Sequence, residues 1–218
     1  MTLYSCNKSD VESASQFQED KGCIEWKKVL VTDHSGHSIN NSNILIINGL
    51  FLSNSIHNST YRYCYYFNDS FQIRVPPYAK FDDKVIYIKE FTNGLEIFSG
   101  EILFQFKNNV FNFKGGTSTN GTTLDTIPNL TTGKIRTLFL GHIEQFDQHG
   151  NQYKDSCFST EVGYFNLNVG LNSATENLIK AWKVTLRNRI YPSEYPIAYY
   201  QDNDGKLIYY DNGIHTFY

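Results

Sequence analysis

Charge is what this sequence has least of. Asp, Glu, Lys and Arg together make up 19% of the 218 residues, and the formal net charge is −3. A chain this weakly charged, with 40% apolar residues, is not kept open by self-repulsion and has enough apolar material for a core. Its weak acidity also argues against reading a phosphate backbone, which needs a clustered basic face, so no nucleic-acid partner is expected. Long apolar runs are missing too. No stretch approaches the roughly 18 residues that a spanning helix requires, and no membrane span is expected. The opening residues, MTLYSCNKSDVESASQ, lack the apolar centre of a signal peptide. The expected location is therefore cytoplasmic, or secreted if a leader has been removed.

Cysteine is scarce and scattered. Cys6, Cys23, Cys64 and Cys157 form no Cys-x-x-Cys pair, so zinc spacing is absent. Without a leader, the expectation is free, buried thiols rather than two disulfides. A phosphate-cradling loop, a Gly-x-Ser-x-Gly elbow and a His-Glu-x-x-His helix are all missing, and no cofactor and no metal is expected. The Asp82-Asp83 pair and Asp202 with Asp204 fail the EF-hand spacing and are read as ordinary polar positions. His34 and His37, in DHSGHS, fit turn chemistry after a first strand. Six Asn-x-Ser/Thr acceptors, at Asn7, Asn40, Asn58, Asn68, Asn120 and Asn129, follow from a composition rich in those residues.

What the sequence does have is aromatic side chains. There are 16 Tyr and 16 Phe, a composition that fits pleated, half-buried surfaces. After a polar segment over 1–20, with a short helix expected over 11–17, strand patterns follow one another. They are CIEWKKVLV (23–31), NILIINGLFL (43–52), TYRYCYYF (60–67), SFQIRV (70–75), KVIYIKEF (84–91), LEIFSGEILFQF (95–106), VFNFKG (110–115) and IRTLFLGHIEQFD (135–147). QYKDSCFST and VGYFNLNV continue the series. A hairpin is expected at Asn68-Asp69, and Asn93-Gly94 is the strongest short hairpin signal. Residues 115–134 read as a long loop. Ser173 to Glu176 reads as a capping box opening a helix over 173–190, with Leu178, Ile179, Trp182, Leu186 and Ile190 on one side. Lys180, Lys183 and Arg187 would form its basic face. The end of the chain, 197–218, reads as a hairpin.

These elements predict one β-rich domain over 1–218. It would be an antiparallel β-barrel or β-sandwich of about eight to ten strands with one late amphipathic helix. A strand series followed by a helix and a last strand resembles the calycin order, in which a cup-shaped barrel holds a small ligand. The near copies YYQDNDG and YYDNG resemble the Tyr-Tyr…Asp-Gly hairpins of bacterial cell-wall and glucan-binding repeats. That resemblance covers about fifteen residues, lacks the accompanying Trp and is not iterated upstream.

Two sets of residues carry the functional expectation. If 135–147 is a strand, alternation puts His142 and Glu144 side by side on one face with Leu138, Leu140 and Phe146. A carboxylate beside a half-buried imidazole is an acid–base pair, with 115–134 as its lid. The second set is tyrosine: Tyr61, Tyr63, Tyr65, Tyr199 and Tyr209, with Tyr66, Tyr200 and Tyr210. Rings of this kind among Asn, Gln and Asp suit a glycan or an amphipathic small molecule. The expected function is ligand binding through these strands. The alternative is a cofactor-independent acid–base enzyme with a His142/Glu144 dyad. A homo-oligomer is left open.

Overall fold

The structure is a computed structural model that describes residues 22–27, 39–72, 74–76, 80–116, 118–119, 122–146, 150–169, 176–188 and 195–213. The protein is mainly β, with two five-stranded sheets and two α-helices among these residues. The strands are β1 (Ile24–Trp26), β2 (Tyr61–Gln72), β3 (Lys80–Thr92), β4 (Leu95–Glu96), β5 (Ile102–Lys107), β6 (Val110–Gly115), β7 (Phe158–Asn166), β8 (Leu178–Leu186), β9 (Ile197–Gln201) and β10 (Leu207–Asp211). The helices are α1 (Asn41–Ser53) and α2 (Thr132–Phe146), with a 3-10 turn at Gly150–Tyr153. The same plan occurs twice. A helix precedes an antiparallel meander, first β2-β3-β5-β6 after α1, then β7-β8-β9-β10 after α2. β4 pairs with β3, and β1 adds to β7 in parallel. Neither strand path closes on itself among the described residues.

Each helix buries one side of its own sheet. Ile47, Leu50 and Phe51 of α1, at helical spacing, pack on Tyr61, Tyr63, Ile86, Ile88, Phe104 and Phe106. Ile135, Phe139 and Ile143 of α2 pack on Phe158, Val162, Trp182, Val184 and Tyr200. The first helix starts at an Asn cap, where Asn40 Oδ1 accepts from Asn43 N at 2.9 Å. It ends at Asn54, whose Nδ2 donates to Leu50 O and to Asn109 O and whose Oδ1 accepts from Phe111 N. One side chain thus closes the helix and fixes it to the β5–β6 turn.

Several sequence expectations are corrected. The 43–52 run is helix α1, not a strand. An apolar run of that length has no period that separates a buried strand from a buried helix. The 135–147 stretch is helix α2, because its buried Ile135, Phe139 and Ile143 recur every fourth residue. The reverse error fell on 173–190. Residues 178–186 are strand β8, paired along their whole length with β7 and further with β9. Trp182, Val184 and Leu186 alternate into the core, and Val184 has no place in the helical stripe. With no late helix there, the calycin order is lost. β2 runs straight through Asn68-Asp69, so no hairpin turns there. LEIFSGEILFQF is broken into β4 and β5 by residues 97–101. The turn at Asn93-Gly94 forms as expected, with φ of 50° and 78°, and so does the 197–211 hairpin. The proposed 11–17 helix, Cys6, His34, His37 and the Ser173 cap lie outside the described residues.

Cys23 and Cys157 form a disulfide, which corrects the expectation of free thiols at both positions, while Cys64 is a free thiol. The bond fastens β1 to β7, and the neighbouring Arg136 works on the same strands. Arg136 is buried on α2, and its guanidinium donates to the carbonyls of Cys23, Ser156 and Lys154. It also lies 4.5 Å from the Phe158 ring centre. Asp202 is the buried acceptor of the same layer. It receives Trp182 Nε1 at 2.7 Å, Asn129 N at 2.9 Å, Leu130 N at 3.2 Å and Lys180 Nζ at 3.2 Å.

Two outcomes follow from these fastenings. Cys157→Ser opens a loop spanning 134 residues and is expected to lower unfolding free energy by about 4 kcal/mol in urea denaturation; equal stability with and without reductant would contradict it. Asp202→Ala leaves the buried Trp182 indole N–H and the amides of Asn129 and Leu130 without their acceptor and removes one of the carboxylates that Lys180 meets. It is expected to destabilise by about 3 kcal/mol or more, and a loss under about 1 kcal/mol would contradict that reading.

Candidate functional site

The two sheets meet through residues 95–101. β4 pairs with β3 through Phe91↔Glu96 and Thr92↔Leu95. The chain then crosses to the other sheet, where Ile97 bridges Tyr164 and Phe98 N donates to Tyr164 O at 2.8 Å. Ser99 Oγ accepts from Asn166 N at 2.7 Å. The crossing is so close that a Cβ on Gly163 would lie 2.4 Å from Glu96 O and 2.5 Å from Phe98 Cζ. Gly163 is therefore the gap into which the linking segment fits.

Phe98 lands on the face of β7–β10 turned away from α2. A cross-strand row runs over that face: Glu161 opposite Lys183, Lys183 opposite Tyr199, Tyr199 opposite Tyr209. The Tyr199 ring lies 5.6 Å from Phe98, 5.4 Å from Phe165 and 6.2 Å from Tyr209. Lys183 Nζ is 3.8 Å from a Glu161 oxygen and 5.9 Å from the Phe98 ring centre. The other sheet contributes its own row, Arg62 opposite Lys89. Lys89 pairs with Glu101 at 3.3 Å and reaches Phe98 O at 3.4 Å.

Glu96 is the buried centre of this junction. Its side chain is 8% exposed, and one oxygen is 3.6 Å from Arg62 Nη1. Burial holds its carboxyl above the ordinary glutamate value, and the nearby charges of Lys183, Lys89 and Arg62 only partly oppose that rise. Tyr199 is pushed far above the ordinary phenol range, first by burial and then by the field of Glu96, Glu161 and Glu101. The Cys64 thiol is raised as well, chiefly by burial. Arg62 Nε is buried without a hydrogen-bond acceptor. At the junction, then, burial favours the protonated form of the Glu96 carboxyl and of the Tyr199 phenol beside the side chains of Lys183 and Arg62. Such a surface can donate and accept hydrogen bonds around a ring-lined floor.

The structure places the expected site residues in different regions. His142 is on α2, and residues two apart on a helix point roughly 200° away from each other. His142 Nδ1 is 2.8 Å from Leu138 O and 3.0 Å from Tyr200 Oη. Glu144 is turned outward to Lys154 at 3.2 Å. The side-by-side dyad required a strand and does not form. Asp147 and His149 lie outside the described residues. Tyr61 and Tyr63 are buried under α1. Tyr63 Oη donates to Asn48 Oδ1 at 2.6 Å and accepts from Asn58 Nδ2 at 2.5 Å. A bulge between Tyr63 and Tyr65 turns Tyr65 to the opposite face, where it is 47% exposed and meets Tyr87 edge-on at 6.0 Å. Tyr199 and Tyr209 are brought together.

The basic face expected of Lys180, Lys183 and Arg187 is divided. Lys180 faces Asp202 and Asp125, Lys183 faces Glu161, and Arg187 pairs with Glu25 at 3.7 Å. Asp83 is buried and accepts from Gln105 Nε2. The described part of the 115–134 loop is fastened rather than open. Lys180 holds Asp125 and Ile127 O, Tyr164 Oη donates to Leu124 O, Asn93 Nδ2 donates to Thr122 O, and Glu90 accepts from Thr119. Glu96, Phe98, Arg62 and Gly163 were missed in the sequence. The one available signal was a lone carboxylate inside LEIF directly after an Asn-Gly turn. Comparison with protein-family models, curated proteins and solved structures finds no match.

Because the folded-state value of Glu96 lies above that of the unfolded chain, its contribution to stability is in place below pH 4.5 and is lost as pH rises through the raised value. Glu96→Gln removes that loss. The melting temperature of the variant relative to the parent is expected to climb between pH 4.5 and about 7. A difference that stays constant across that range would show that Glu96 titrates as an ordinary surface glutamate.

Proposed function

We propose that the face of β7–β10 turned away from α2, bounded by residues 95–101, binds a glycan or a similarly amphipathic small molecule. The observation that carries this reading is the row Glu161, Lys183, Tyr199 and Tyr209, with Phe98 and Phe165 packed around Tyr199. A sugar ring offers an apolar C–H face and a rim of hydroxyls. Stacked rings take the first, while a carboxylate, an ammonium and phenols take the second. Tyr209 is 51% exposed and is the ring a ligand would reach first. The Cys23–Cys157 disulfide supports a non-reducing compartment, where many such recognition proteins act.

A glycan array followed by calorimetry on the full chain tests this. Tyr209→Ala is expected to weaken the best ligand by about 0.5–1.5 kcal/mol, roughly two- to twelvefold. Lys183→Ala weakens it further. Unchanged binding by both variants would move the site elsewhere, and absence of any glycan binding would sink the reading.

A further inference from the structure

The crossing of residues 95–101 leaves an arginine short of hydrogen-bond partners. Arg62 stands on β2 opposite Lys89, and its side chain is 21% exposed. Its carboxylate neighbour, Glu96 Oε2, is 3.6 Å from Nη1, beyond hydrogen-bond reach. Its Nε is buried with no acceptor. By contrast, the Arg136 guanidinium donates to three backbone carbonyls. Glu96 faces the same gap from the other side: its carboxyl is 8% exposed and forms no hydrogen bond among the described residues. Two polar heads withdrawn from water without a bond between them are costly unless a third group joins them.

The chemistry of that third group follows from the two heads. A separation of 3.6 Å lets a single oxygen lie at hydrogen-bond distance from both. That oxygen has to accept from the guanidinium and donate to the carboxyl. A hydroxyl does both at once, whereas a carboxylate only accepts and an ammonium only donates. The surroundings favour no ion. Three cations, Arg62, Lys89 and Lys183, meet three carboxyls, Glu96, Glu101 and Glu161, at 3.3–3.8 Å. Ring surface lies beside the gap. Phe98, two residues beyond Glu96, has its ring 5.6 Å from Tyr199, and Glu96 is close enough for its charge to act on the Tyr199 phenol.

We propose that Arg62 and Glu96 are the specificity-determining pair of the junction and hold one hydroxyl of a neutral sugar between them. The inference rests on the glycan reading of the adjoining face and narrows its ligand class. The sugar ring lies toward Tyr199 and Tyr209, and one hydroxyl oxygen accepts from Arg62 while its proton goes to Glu96. A uronic acid is disfavoured, because its carboxylate would meet Glu96, Glu101 and Glu161.

The experiment is an NMR titration of the ¹⁵N-labelled full chain with the hexose that a glycan array ranks first, as its methyl glycoside. Its monodeoxy analogues and the matching methyl hexuronoside are titrated beside it. One deoxy analogue is expected to bind about tenfold more weakly than the hexoside, and the hexuronoside about tenfold more weakly or worse. In Arg62→Met, hexoside and deoxy analogue should bind alike within about twofold, a loss of discrimination that a merely structural arginine would not produce. A second reading needs no variant: the Arg62 Nε–H signal should move with the hexoside and stay in place with that deoxy analogue. Discrimination that survives in Arg62→Met, an Nε–H signal indifferent to the hexoside, or a hexuronoside bound as tightly as the hexoside would each overturn the proposal. A sugar that Tyr209→Ala weakens but that gives one of these results sinks the Arg62–Glu96 assignment alone. An array without any bound glycan sinks the glycan reading and this inference together.

Discussion

The absence of a side chain at Gly163 lets the two halves of this protein touch. The linking segment comes so close to β7 that a Cβ at that position would collide with Glu96 O and the Phe98 ring. With the gap open, Phe98 N reaches Tyr164 O and Ile97 adds a parallel bridge. One strand's worth of backbone is thereby shared between two sheets. The consequence is electrostatic as well as steric. Glu96 is carried to the boundary between the Arg62–Lys89 row and the Glu161–Lys183 row. Its carboxyl is desolvated there while cations from both sheets surround it.

The helices explain why this boundary is polar. Each helix covers one face of its meander with Ile, Phe and Leu, so each sheet spends its alternating apolar positions on that side. The opposite faces carry what remains: Arg62, Lys89, Glu161, Lys183, Tyr199 and Tyr209. Where charge does enter the helix-covered layers it arrives with a full set of partners. Asp202 accepts two backbone amides, an indole and an ammonium, and Arg136 donates to three carbonyls. Those two groups tie loops and the disulfide-bearing strand to the core. The junction charges are paired less completely, at 3.3–3.8 Å, and Arg62 Nε lacks an acceptor. A buried polar group that is fully satisfied rigidifies a structure, so the helix-covered layers are held more firmly than the junction.

How legible this was in the sequence depends on the residue. Turn chemistry was direct: Asn93-Gly94 needs positive φ at both positions, and few residues other than Asn and Gly adopt it easily. The three element-type errors share one cause. NILIINGLFL, IRTLFLGHIEQF and LIKAWKVTL each satisfy both a helical and a strand period over a short window. Tertiary pairing decided between them: β8 lies between β7 and β9 and has to be a strand, whatever stripe Leu178, Trp182 and Leu186 suggest. The dyad failed with the strand that carried it. Tyr61 and Tyr65 fall on opposite faces because a bulge, which alternation does not register, lies between them. Tyr199 and Tyr209 survived as neighbours because their hairpin was read correctly.

The junction itself could not be read locally, because no window of sequence contains it. Arg62, Glu96, Glu161, Lys183 and Tyr199 are brought together by a register in each sheet and a crossing between the sheets. A single-residue slip in β8 would exchange Lys183 for Trp182 on the open face. The strong specification of that register, by Trp182 bonded to Asp202 and Val184 packed under α2, also specifies the charged face. The open side is thus positioned by burial on the closed one: the residues that keep α2 in place decide which side chains stand on the opposite face.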